Sequence, residues 1–127
     1  MQATFLIFVG AGVGGVLRHG VNVGCARFCG VAFPWGTLTV NVVGSLAMGL
    51  IVGWLAARAG EGWSEALRLF LTTGILGGFT TFSAFSLDSV LLWERGQLGL
   101  ALAYIGASVA GSIAALALGL SAMRSVA

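Results

Sequence analysis

The chain has 127 residues, 58% of them hydrophobic and 8% charged, with a formal net charge of +2 and a mean hydropathy of +1.03. A soluble domain carries about 25% charged residues, so this composition excludes a soluble globular fold and points to an integral membrane protein in a lipid bilayer. The small, dispersed charge also excludes nucleic acid as a partner.

The first apolar run, residues 3–17, is about 22 Å long as a helix, short of a hydrocarbon core of ~30 Å. The span is therefore expected to continue past Arg18 and His19 to about residue 28. It lacks a charged leader and reads as a retained helix, not a cleaved signal peptide. Gly10 with Gly14, and Ala11 with Gly15, form small-xxx-small faces for close packing; the chain's 21 glycines fall inside such apolar runs. Cys25 and Cys29 make no metal-type pattern with His19 and are expected to be two buried small residues. Pro34 and Trp35 suit a turn at the bilayer interface.

The second span, residues 36–57, carries no charge. The third lies between Arg68 and Asp88, with its helix reaching Trp93, and the fourth is uncharged from 96 to 123. The expected fold is all-α: one four-helix transmembrane domain over residues 1–127. The third span contains Gly77-Gly78 followed by Thr80-Thr81. Two glycines cost about 1 kcal/mol each relative to alanine, and β-branched threonines add to this. The helix is expected to break there, near mid-membrane, where freed backbone groups need partners in protein, a cavity or an ion. The alternative is that these small residues only let helices pack closely.

Four spans put both termini and the second loop on one side of the membrane. Arg58, Arg68 and Arg124 fall on that side; Arg18, Arg27 and Arg95 fall on the other. The positive-inside rule acts through the difference, which is nil. The balance fits chance in a charge-poor chain, or dual topology, in which two oppositely inserted copies form an antiparallel homodimer. Four helices shelter few membrane-embedded polar groups, so a partner is expected.

No triad, metal cluster or nucleotide-binding signature is present, and the chain does not read as an enzyme. The polar residues look instead like the lining of a path. Asn41 offers donors to an anion and acceptors to a cation; its alternative is an interhelical hydrogen bond. Tyr104, Ser108 and Ser112 recur at i, i+4, i+8 on one face, where hydroxyls could solvate an ion or bond one turn back. Phe82 and Phe85 share a face and are either packing or a pair of ring edges for an anion. Arg18 and Arg27 either snorkel or draw anions into a vestibule. Asp88 is an intramembrane or interfacial acid that needs a partner.

Gly77-Gly78-Phe79-Thr80-Thr81-Phe82-Ser83-Ala84-Phe85 resembles the third-helix motif of the Fluc (CrcB-type) fluoride channels, and Gly36-Thr37-Leu38-Thr39-Val40-Asn41-Val42-Val43-Gly44 resembles their second-helix motif. Length, the first-helix glycines with Arg18, and the four-span layout fit as well. The resemblance implies passive fluoride export across a bacterial inner membrane by an antiparallel dual-topology homodimer with two pores. It implies fluoride-path roles for Asn41, Phe82, Ser83, Phe85, Tyr104, Ser108 and Ser112, with Arg18 in a vestibule. It also implies a structural sodium ion at the dimer interface, bound by the backbone carbonyls of Gly77 and Thr80. Ala84 stands where the family usually has threonine, and Asp88 where glutamate is common. Among alternatives, a small multidrug exporter depends on an acid in the first span, which has none here. A lipid kinase needs a nucleotide-binding set, and a structural assembly subunit leaves the polar track unused.

Overall fold

Four spans long and apolar enough to cross a membrane, Gln2–Cys29, Trp35–Ala57, Glu65–Glu94 and Leu98–Val126, make up the computed structural model, which describes residues 1–62 and 64–126. We label them α1 (Gln2–Cys29), α2 (Trp35–Ala57), a composite third span, and α6 (Leu98–Val126). The third span consists of α3 (Glu65–Leu69), a π-helical segment (Phe70–Leu76), α4 (Gly77–Phe79) and α5 (Phe82–Glu94). No strand occurs among the described residues.

The helix ends have local causes. Pro34 precedes α2, where a missing N–H costs nothing. The Ser64 side chain accepts a bond from the Leu67 N–H at 3.2 Å and caps α3. Between α5 and α6, Gly96 takes φ 74°, its N–H donates to the Trp93 carbonyl, and the Gln97 N–H donates to the Leu92 carbonyl. That pair of bonds is a Schellman turn, which needs the left-handed residue that glycine supplies.

Two close helix pairs organise the rest. α1 packs on the third span, where a methyl group on Gly14 would run into the Ile75 carbonyl and one on Gly78 into the Ala11 carbonyl. α2 packs on α6 with Gly49 against the Leu116 carbonyl and Gly53 against Met123. Residue numbers rise together along both, so α2 and α6 run parallel. Val40 and Tyr104 are fully buried, whereas Phe5, Phe8, Val16 and Leu118 are exposed, as expected of surfaces that meet lipid or another protein.

The break does not fall on the two glycines. Gly77 is helical at φ −63°, ψ −38°, and the chain leaves the helix at Thr80 (φ −85°, ψ 158°) and Thr81 (φ −154°, ψ 123°). Extended backbone suits β-branched residues, while Gly78 serves the contact with α1. Both readings of the motif therefore hold, on different residues. Gly44 of α2 makes room for the break, since a Cβ there would strike the Thr80 methyl. The cysteines differ from expectation: Cys25 is partly buried and Cys29 exposed, both free thiols. The last turns of α1 pack on one side only, with Asn22 against Gly36 of α2, while Gly20 and Gly24 face open space.

Candidate functional site

The break at Thr80-Thr81 is held by one side chain. Asn41 Nδ2 donates to the Thr81 carbonyl at 2.9 Å, and the Thr81 N–H donates to Asn41 Oδ1 at 2.8 Å. The amide side chain thus replaces the helical bond that the Thr81 N–H gives up and adds a second donor to the carbonyl that begins α5. The Thr81 hydroxyl accepts from the Ala84 N–H at 3.2 Å and caps α5. Together these bonds fix the two-residue gap.

They also release carbonyls. In a continuous helix the Thr81 N–H would bond Gly77 and the Ala84 N–H would bond Thr80. Here both amides are engaged elsewhere, so the carbonyls of Gly77 and Thr80 lose their helical donors. Those oxygens are of the type that hard monovalent cations take, so the residues present fit a sodium ion. Arg18 points inward to the same place, with Nη1 3.5 Å from the Thr80 carbonyl oxygen.

Beside the break lies a cleft of about 330 Å³ lined by Asn41, Ser45, Thr80, Thr81, Phe82, Phe85, Ser108, Val109, Ser112 and Ile113. It brings together five of the residues read as a path: Asn41, Phe82, Phe85, Ser108 and Ser112. The Phe82 and Phe85 ring centroids are 5.4 Å apart, tilted by 46°. Phe82 is 78% exposed in the single chain, so the cleft has one unfinished wall. The hydroxyl oxygens of Ser108 and Ser112 are buried without a hydrogen-bond partner. Unpaired buried hydroxyls are costly unless something fills the space between them.

Tyr104 stands one step behind the cleft, its ring 5.4 Å from that of Phe85. Its hydroxyl donates to Asp88 Oδ2 at 3.1 Å, which gives the acid its partner. Thr37 and Ser108 flank the phenol without making a hydrogen bond of good geometry to it. Ser83 is exposed outside the cleft, its hydroxyl 3.2 Å from that of Thr81. Sequence reasoning missed Ser45, although its place four residues after Asn41 puts both on one helix face. It also missed Asn22, whose Oδ1 is buried and unpaired at a separate cavity near Asp88.

Residues 5–120 match the family described as CrcB-like protein, Camphor Resistance (CrcB). The chain belongs to the CrcB family. It is 56% identical over 124 residues to a protein of Methylobacterium nodulans named fluoride-specific ion channel FluC, with 98% of each chain covered. A protein of the same name from Beijerinckia indica is 51% identical over 126 residues, 99% of both chains. One from Rhodopseudomonas palustris is 53% identical over 121 residues, 95% of this chain and 96% of that one. CrcB membership rests on the whole four-span chain, and it leaves the individual site residues to be argued from geometry.

Proposed function

We propose that this CrcB protein is a channel, not an enzyme, and that it lets fluoride leave the cell passively across the bacterial inner membrane. The observation that carries the reading is the cleft beside the break. Fluoride is small and strongly hydrated, so a pore must replace its water with donors and positive ring edges. The cleft offers the Asn41 amide, two adjacent phenylalanine rings and two buried hydroxyls without a hydrogen-bond partner. Tyr104 stands behind the cleft against Phe85, Ser83 lies outside it beside Thr81, and the Arg18 guanidinium adds positive charge toward the break. The relatives' names supply fluoride as the ion.

The working unit is an antiparallel pair of copies with two pores, each closed by the other copy. Supporting this are the balanced arginines, the unfinished wall at Phe82, and the large exposed apolar faces. A sodium ion would be held by the Gly77 and Thr80 carbonyls, whose helical donors are used elsewhere. When bound, it supplies fixed positive charge near the path.

One preparation tests the channel reading. The purified protein should run as a dimer in detergent and, in liposomes, release fluoride to a fluoride electrode while retaining chloride. Equal loss of both anions, or none of either, removes the channel; a monomer removes the paired pores. The cation is tested separately by crystals grown with a heavier monovalent ion. An anomalous peak is expected at the Gly77 and Thr80 carbonyls, and water alone there would reject it.

A further inference from the structure

We propose that Ser45 is a further fluoride-selecting residue, its hydroxyl forming a rung of the path across from Ser112; the proposal rests on the channel reading above. Three observations carry it. Ser45 lines the same cleft as Asn41, Ser108 and Ser112. Its register is the second. α2 and α6 run parallel, and the offset that sets Gly49 against Leu116 also sets Asn41 against Ser108 and Ser45 against Ser112. Each helix repeats its polar residue every four positions, which keeps a face in line, so the track has two walls, not one.

The third observation is what the hydroxyls do. Serine and threonine in a membrane helix commonly donate to a carbonyl one turn back. Thr72, Thr80, Ser86 and Ser89 do this here, donating to the carbonyls of Arg68, Leu76, Phe82 and Phe85 at 2.8–3.0 Å. Ser45 makes no such bond, and neither do Ser108 and Ser112. A hydroxyl that keeps its proton free beside two others is available to an anion. The bland reading, a small residue that merely lets α2 and α6 approach, is served already by Gly49, Gly53 and Gly119. An ion stepping from Asn41 and Ser108 to Ser45 and Ser112 meets donors on both sides. That arrangement favours fluoride over chloride, because the smaller ion accepts stronger hydrogen bonds, which offset its larger dehydration cost.

The test is fluoride efflux from liposomes as a function of fluoride concentration, for wild type, Ser45→Ala, Ser112→Ala and the double variant. A hydrogen bond to an ion is stronger than one between neutral groups, so Ser45→Ala should raise half-saturating fluoride by about tenfold. If the two hydroxyls act as one rung, the double variant should shift by less than the product of the single shifts. An unshifted half-saturation in Ser45→Ala overturns the proposal, whether maximal flux is normal or reduced, since fewer well-folded channels lower flux without moving it. Wild-type protein that passes no fluoride overturns the channel reading and this proposal with it, whereas a conducting wild type with an unshifted variant overturns this proposal alone.

Discussion

Replacing Asn41 by alanine should lower fluoride flux by at least about a hundredfold and loosen the third span. The side chain bonds both backbone groups of Thr81, at 2.9 and 2.8 Å, and it is the partner of the Thr81 N–H, whereas the carbonyl, at the N-cap of α5, also begins that helix. An N–H left unpaired in a buried site costs about 1–3 kcal/mol, and about 1.4 kcal/mol is a factor of ten. The break cannot simply revert to helix, because Gly44 and Thr80 are packed for the extended backbone. The variant also loses the one amide facing the cleft, so the geometry and the ion's donor go together. Two measurements separate these effects: efflux from liposomes, and hydrogen exchange at the Thr81 amide. Fast exchange with lost flux fits the clasp. Protected exchange with lost flux leaves Asn41 only a contact with the ion, and wild-type flux would falsify any role for it.

Much of this was legible along the chain. The four spans follow from runs of apolar residues long enough for a bilayer, with Pro34 and Gly96 marking turns. The break was legible as a weakness somewhere in the Gly77 to Thr81 stretch. Its exact residues were not, because glycine disfavours helix only when no neighbour needs the space. Gly78 lies in helix against the Ala11 backbone, where a Cβ would not fit, and that contact belongs to another span. The π-helical segment Phe70–Leu76 has no signal in its own residues that we can identify.

The site divides in the same way. Spacing alone put Ser108 and Ser112 on one face, and it could do the same for Asn41 and Ser45. Facing one helix against another needs the glycine contacts that set the α2 to α6 register. The Tyr104 to Asp88 bond joins α6 to α5 and depends on the Schellman turn between them. Arg18 was read as either snorkelling or drawing anions into a vestibule; the contact of its Nη1 with the Thr80 carbonyl oxygen at 3.5 Å depends on the break, which lies on another span.

Phe82→Ile and Phe85→Ile should each reduce fluoride flux by about tenfold or more, with the dimer intact. Isoleucine keeps an apolar side chain and removes the ring, whose positive edge is the feature proposed to meet the anion. The two positions differ in what else they lose. Phe85 stacks at 5.4 Å on both Phe82 and Tyr104 and packs against the Leu92, Ala101 and Tyr104 cluster. Aromatic pairs contribute about 0.5–1.5 kcal/mol each, so Phe85→Ile should also lower the melting temperature. Among the described residues Phe82 touches one ring, Phe85, and it is largely exposed within its own chain. Within its own chain its substitution therefore removes less packing than Phe85→Ile, and a loss of contact with the partner copy proposed to close this wall would show in the dimer fraction. Phe82→Ile is thus the sharper probe: lost flux at an unchanged melting temperature and an unchanged dimer fraction isolates the ring edge from packing. Wild-type flux in both variants would end the ring-edge reading and leave the hydroxyls and the Asn41 amide to replace fluoride's water by themselves.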